Sequence, residues 1–207
     1  MSSMRNARVD NVTGVVLTGG QSSRFGTDKS AFVIGKNSMA DRAVAAVSSV
    51  VNDVIVSGTR LAPDSANLTY VPDLVENGGP LAGISAAFGA TGAEWLFVLA
   101  CDMPNVSGTA IENVLGFRTR DTLAVVPRER SGRLHPLFAC YHRATYPLCE
   151  RLLASGALSM KRYVKSITEN GLVLYPTVDE TTLLNINRVS DLAGLSPTLR
   201  AWDSPLT

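Results

Sequence analysis

Short apolar runs alternate along the chain with longer segments of helical periodicity. Runs rich in valine, isoleucine and leucine predict strands at 12–17, 53–57, 68–71, 94–100, 123–126, 137–141, 172–175 and 183–186. Apolar residues that recur every three or four positions predict helices at about 38–51, 78–91, 107–117, 145–154 and 159–168, and Ser190 is expected to cap a final short helix. Strands that alternate with helices in this way predict βαβ units and a parallel sheet.

The strongest strand signal, at 94–100, is apolar on both faces and is therefore expected at the centre of the sheet. The two runs that follow Leu123 lie within hairpin reach of each other, which predicts an antiparallel portion. We expect one three-layer α/β/α domain over residues 12–200, with a mostly parallel, Rossmann-like sheet. Residues 1–11 are polar and are expected to form a flexible N-terminus.

Composition excludes several classes of protein. The chain has 19 basic and 18 acidic residues, a net charge of +1, so it lacks the basic excess of a nucleic-acid-binding domain. No apolar run approaches the roughly 20 residues that span a bilayer, and no signal peptide is evident, which predicts a cytoplasmic protein without a membrane contact. Three cysteines without C-x-x-C spacing and two histidines argue against a zinc site, so any metal should be a hard ion held by oxygen atoms.

The loop after the first predicted strand carries the densest candidate chemistry, and it reads LTGGQSSRFGTDK over residues 17–29. The adjacent Gly19 and Gly20 allow the backbone to approach a ligand closely. Arg24 and Lys29 add two cations that could bind phosphate oxygens. The glycine spacing fits neither a Walker A loop nor the dinucleotide-binding fingerprint. An ordinary Gly/Ser-rich loop with solvated charges remains open from this loop alone.

Polar residues also follow three later strands. Asp102 ends the central strand, where a carboxylate could hold Mg²⁺ or could simply cap the next turn. Asp73 precedes the segment GGPLAG at 78–83, which is either an anion-binding helix start or an ordinary loop. Asn185 and Asn187 alternate with an apolar residue and so share one face of a strand. His135 could face a ligand, although a lone histidine is more often structural.

The segments LTGGQSSRFGTDK, PDLVENGGPLAG, VLACDMP and NIN follow successive predicted strands, and as an ordered set they resemble the molybdenum cofactor guanylyltransferase family of nucleotidyltransferases. The resemblance covers residues 12–195, and the family loop L-A-G-G-x-S-x-R-M-G-x-D-K differs only at Thr18 and Phe25. The chain departs from the family at Thr59, where an asparagine is common, and at Arg188, which replaces a threonine. The resemblance implies a GT-A-like nucleotidyltransferase fold.

The resemblance also implies roles for individual residues. Asp102 would be the ligand of the cofactor Mg²⁺, and Arg24, Lys29 and Asp102 would form the catalytic set. An acceptor would meet the late motif at Asn185, Asn187 and Arg188. The implied nucleotide contacts are Leu17, Thr18, Gly19, Gly20, Lys29, Asp73 and Asp102.

The implied activity is transfer of GMP from GTP to the phosphate of molybdopterin, with release of pyrophosphate. Other cofactor-biosynthesis proteins and recipient molybdoenzymes are the implied protein partners. Cytidylyl transfer to the same cofactor, and nucleotidyl transfer to another small phosphorylated acceptor, stay open as alternatives. A catalytically silent nucleotide-binding protein is disfavoured by the intact Arg24, Lys29 and Asp102 set, and a dinucleotide-dependent oxidoreductase by the glycine spacing.

Overall fold

The computed structural model describes residues 9–19, 32–34, 36–58, 68–72, 75, 78–186, 191 and 195. Within these ranges, strands and helices follow one another in the alternating order that the sequence predicts. The strands are β1 (Val9–Leu17), β2 (Val33–Ile34), β3 (Asn37–Ser38), β4 (Val51–Ser57), β5 (Leu68–Val71), β6 (Trp95–Ala100), β7 (Thr122–Val125), β8 (Phe138–His142) and β9 (Leu172–Leu174). The helices are α1 (Met39–Ser48), α2 (Gly79–Ala90), α3 (Gly108–Leu115), α4 (Tyr146–Ala154) and α5 (Met160–Asn170), and a short 3₁₀ turn, Arg143–Thr145, precedes α4.

Seven strands form one sheet in the order β5-β4-β1-β6-β8-β7-β9. The pairs β1–β4, β1–β6, β4–β5 and β7–β9 are parallel, and β8 runs antiparallel to both β6 and β7. The mostly parallel sheet with an antiparallel portion after Leu123 is therefore confirmed. Because only β8 is reversed, the carboxyl ends of the other six strands meet at one edge, where α/β proteins bind ligands.

Helices cover both faces of the sheet, which confirms the three-layer α/β/α arrangement. One buried cluster joins β1 and β6 to α1 and α3 through Val47 and Ile111. A second cluster joins the opposite face to α2, α4 and α5 through Ile84, Leu152 and Ile167. All residues of β6 are buried, as expected for a central strand that is packed from both sides.

A small hairpin and a helix cap fix the chain where it returns from the first loop. Strands β2 and β3 pair antiparallel, and the Arg42 guanidinium donates to the carbonyl of Ile34 in β2. Ser38 then begins α1 through a capping box: its hydroxyl accepts from the Asp41 amide, and its own amide donates to the Asp41 carboxylate. The hairpin escaped sequence prediction because strands of two residues carry no periodicity.

Three predicted elements differ from the structure. The helix predicted at 38–51 ends at Ser48, and Val51 already begins β4. The strand predicted at 183–186 is wrong, because the amides of Thr182 and Leu183 are used in turns and residues 184–186 belong to no strand. Strand β1 begins at Val9, three residues before the predicted start of the domain, and a bulge with Asn11 at φ 61° interrupts its pairing with β4. Most residues of the helix predicted after Ser190 lie outside the described ranges. No helix in the described ranges has the length and apolarity needed to cross a membrane.

Candidate active site

Three strand ends are tied together at the carboxyl edge of the sheet. The carbonyl of Leu17, at the end of β1, accepts from the amide of Cys101 just beyond β6, at 3.1 Å. Thr18 donates twice to the carbonyl of Ser57 at the end of β4, from its amide at 2.9 Å and from its hydroxyl at 3.0 Å. Thr18 and Ser57 are buried, so these bonds are shielded from water. The first loop therefore leaves from a rigid base.

Two glycines allow the backbones that follow β1 and β4 to touch. Gly58 has φ +106°, and a Cβ at this position would lie 2.4 Å from the amide nitrogen of Gly19 and 2.8 Å from its Cα. Neither the conformation nor the space admits another residue at Gly58 without a shift of the main chain. The contact holds the exposed Gly19 close against the backbone that follows β4. A glycine placed directly after a strand was the available sequence signal, and the sequence analysis missed it.

Helix α2 begins at the same edge and packs closely against two of these strand ends. Gly79 has φ +61° and Pro80 follows it in the first turn. One turn later, a Cβ on Gly83 would lie 2.7 Å from Ser57 Oγ and 2.8 Å from Leu17 Cδ2. The absence of a side chain at Gly83 lets the positive end of the helix dipole approach the strand ends, which favours binding of an anion there.

Asp102 emerges half-buried from the end of β6 and is held by a segment more than 80 residues away in sequence. The Asn185 side-chain amide donates to Asp102 Oδ1 at 3.1 Å, and the backbone amide of Ile186 donates to the Asp102 carbonyl at 2.8 Å. A third bond, from the Asn105 side chain to the carbonyl of Thr181 at 2.7 Å, fastens the same segment to the turn after β6. The structure thus brings together two of the predicted site residues, Asp102 and Asn185.

These donors fit a hard divalent cation better than a transition metal. No group of three or more His, Cys, Asp or Glu side chains is gathered within the described ranges, so no all-protein metal cage is built there. Asp102 offers a carboxylate and Asn185 a neighbouring amide. Mg²⁺ is commonly bound by one or two carboxylates together with waters and substrate phosphates. The Asp102 corner is compatible with that pattern.

The loop between β7 and β8 lies at the same edge and has a buried histidine at its base. His135 Nε2 donates to Glu129 Oε1 at 2.8 Å, and the Ser131 hydroxyl donates to Glu129 Oε2 at 2.9 Å. The hydrogen bond from His135 is the main cause of a lowered pKa for the Glu129 carboxyl. The buried ring of His135 thereby fixes the shape of this loop, which agrees with the structural alternative considered for it.

The predicted site residues that the structure describes divide into two groups. Leu17, Thr18 and Gly19 lie together at the end of β1, and Asp102 and Asn185 lie together at the end of β6; their contacts with substrates stay predictions. Residues that the sequence analysis missed are Ser57, Gly58 and Ile186. The predicted residues outside the described ranges are Gly20, Arg24, Lys29, Asp73, Asn187 and Arg188.

A groove of about 320 Å³ lies at the opposite, amino-terminal edge of the sheet and differs chemically from this site. None of its described lining residues is basic, so it offers nothing to neutralise a polyphosphate. Its lining residues are Val9, Asn11, Val12, Thr13, Asn52, Asp53, Thr91, Gly92 and Ala93.

Comparisons with known proteins show which proteins the chain resembles. Residues 14–170 match the family described as MobA-like NTP transferase domain. A protein of Desulfosudis oleivorans named molybdenum cofactor guanylyltransferase is 33% identical over 93% of this chain and 98% of its own length. A Pelotomaculum thermopropionicum protein named probable molybdenum cofactor guanylyltransferase is 33% identical over 92% of this chain and 97% of its own length.

A solved structure shares the fold at lower sequence identity. The crystal structure of molybdopterin-guanine dinucleotide biosynthesis protein A from Archaeoglobus fulgidus aligns with a TM-score of 0.68 and 22% identity. The alignment covers 87% of this chain and 95% of that protein. At this identity the likeness supports the architecture, in which the strand ends described above form one edge.

Proposed function

Because the chain belongs to the family of MobA-like NTP transferases, and is therefore a nucleotidyltransferase, we propose that it transfers GMP from GTP to the terminal phosphate of molybdopterin. The proposal is supported by relatives that carry the name molybdenum cofactor guanylyltransferase and align over nearly the whole chain. The observation that carries it in this molecule is the Asp102–Asn185 pair, held beside the Leu17–Gly19 strand end at the edge where α/β proteins bind ligands.

The reaction forms one bond and breaks one. A phosphate oxygen of molybdopterin attacks the α-phosphorus of GTP, and the bond from that phosphorus to the bridging oxygen of the β-phosphate breaks, so that pyrophosphate leaves. A phosphate monoester is largely a dianion near neutral pH and needs no strong general base. Catalysis then rests on alignment of the reactants and on neutralisation of the leaving pyrophosphate. This demand fits a site whose described histidine, His135, is buried and paired with Glu129.

The nucleotide would lie over the strand ends. The exposed backbone at Gly19, held close against Gly58, would allow close approach of the ligand, and the amino end of α2 would favour its negative charge. By the family resemblance, Asp73 would contact the nucleotide, and Arg24 and Lys29 would bind its phosphates. Asn187 and Arg188 would meet the acceptor.

Asp102 would hold Mg²⁺, with Asn185 orienting the carboxylate through the bond to Oδ1. The bound ion would offset the negative charge of the nucleotide phosphates. Because Asp102 is the residue that would hold this ion, its carboxylate is the most informative group to remove.

The test is pyrophosphate release by the purified protein with molybdopterin, Mg²⁺ and each of GTP, CTP and ATP. We expect turnover with GTP, and we expect Asp102→Asn to reduce it by about 100-fold or more, since charge-stabilising groups contribute on that scale. Asp121→Asn is the matched control, because Asp121 is an exposed carboxylate just before β7, at the opposite edge of the sheet. Turnover with CTP alone would replace guanylyl by cytidylyl transfer, and full activity of Asp102→Asn would refute the metal assignment.

A further inference from the structure

Asp102 is fixed by two consecutive residues of one segment. Asn185 bonds its carboxylate, and the amide of Ile186 bonds its carbonyl at 2.8 Å. The hydrogen bond from Asn105 to Thr181 holds the same segment some residues earlier. Asp102 is thus held at both its side chain and its main chain, and any movement of residues 185–186 would be passed directly to it.

The side chain of Ile186 is fully buried, but it is not part of the two large clusters that flank the sheet. It belongs to a small apolar cluster, here called the satellite cluster, made of Ile34, Met39, Ile186 and Leu195 with Phe32 and Leu184 packed against it. Ile34 lies in β2 and Met39 begins α1. Both elements follow the first loop along the chain. The satellite cluster therefore packs the residues that follow this loop against the segment that holds Asp102.

We propose that Ile186 is a positioning residue, whose burial in the satellite cluster sets the place of the Asp102 carboxylate and thereby the affinity for a divalent cation with GTP. This rests on the proposed function. The buried side chain of Ile186 and the amide that bonds the Asp102 carbonyl belong to the same residue, so a shift of the side chain would move that amide relative to Asp102. Protein interiors are close-packed, so truncating a fully buried isoleucine leaves a cavity into which its neighbours, and residue 186 itself, relax in part.

The satellite cluster also packs Ile186 against β2 and the start of α1. Packing in the cluster therefore couples these two elements to the residue that is expected to bind the metal. Met39, on the other side of the cluster, should influence the metal although it makes no described hydrogen bond to Asp102.

The experiment measures binding, not turnover. The Mg²⁺ concentration that gives half of the GTP-dependent rise in Tm is determined for the wild type, Ile186→Ala and Ile167→Ala, and Mn²⁺ binding in the presence of GTP is followed by electron paramagnetic resonance. Ile167 is the matched control, because it is the same residue type with 0% exposure, as Ile186 has, but it lies in α5 within the other face's cluster. Both variants should lower Tm without ligand.

We expect Ile186→Ala to raise the Mg²⁺ midpoint about tenfold, and Ile167→Ala to leave it within about twofold of the wild type. The milder pair Ile186→Val and Ile167→Val gives the same comparison if an alanine variant does not fold, with a rise of about two- to threefold for Ile186→Val only. Met39→Ala should also raise the midpoint, and combined with Ile186→Ala it should add less than its separate effect, because both remove the same packing.

The outcomes separate the two proposals. A wild-type protein that GTP and Mg²⁺ together do not stabilise would refute the proposed function. A wild type that responds, with equal midpoints for the Ile186 and Ile167 variants, would refute the positioning role and leave the proposed function standing.

Discussion

Replacing Gly83 by alanine should damage the protein, although alanine is the better helix former. Gly83 lies in the second turn of α2, where a new Cβ would stand 2.7 Å from Ser57 Oγ and 2.8 Å from Leu17 Cδ2. Both neighbours are buried, so neither side chain can move out into solvent to make room. The Ser57 carbonyl also accepts both hydrogen bonds from Thr18, and displacement of Ser57 would move the start of the first loop.

The magnitude follows from two opposing terms. Overpacking of this kind lowers the stability of the protein by about 1–3 kcal/mol. Replacement of glycine by alanine inside a helix raises it by about 0.8–1.0 kcal/mol. Alanine at Gly89, in the same helix, should give the gain in helix stability without overpacking, because the nearest atom to its new Cβ is Tyr146 Oη at 3.5 Å. Gly83→Ala should therefore be less stable than Gly89→Ala by about 1–3 kcal/mol. For a chain of this size that is a difference in Tm of about 2–12 °C.

Thermal or urea denaturation of the wild type and of both variants measures this difference, and a GTP titration of each variant measures the effect on the site. We expect weaker GTP binding for Gly83→Ala and unchanged binding for Gly89→Ala. Equal stability of the two variants would refute the reasoning, because it would mean that α2 does not rely on a side-chain-free contact with the ends of β1 and β4.

Two further predictions concern the scaffold around the site. The Arg143 guanidinium donates to the carbonyls of Ala93, Phe88 and Thr91 at the end of α2, so Arg143→Ala should lower the free energy of unfolding by about 2–3 kcal/mol in urea denaturation. Arg143→Lys should recover only part of this loss, since an amine lacks the guanidinium fork, and full recovery would contradict the geometry. The lowered pKa of Glu129 implies a stabilisation that is complete above its ordinary value near 4.5 and lost as pH falls through the lowered value. Glu129→Gln should accordingly have a lower Tm than the wild type at pH 7 and the same Tm in strong acid, and a constant difference across a pH series would contradict it.

The alternation of strands and helices could be predicted because it depends on local patterning. The run at 94–100 is apolar on both faces, and it is β6, fully buried at the centre of the sheet. The apolar periodicity at 38–51 predicted α1, and a capping box of Ser38 and Asp41 is present at its start. The same local reasoning failed at 183–186, where an apolar run that predicted a strand belongs instead to a segment fastened by turns and by Asp102. A local apolar run does not determine which groups its backbone amides will bond.

The sequence by itself determined the fold class and the candidate residues at the ends of β1 and β6, because periodicity and loop composition are properties of neighbouring residues. Only the tertiary structure decided that Asn185 and Ile186 hold Asp102, that Gly58 lies against Gly19, and that Gly83 gives α2 access to Leu17 and Ser57. These contacts join residues that are far apart in the chain. Their formation depends on strand order, register and close packing, which no local pattern encodes.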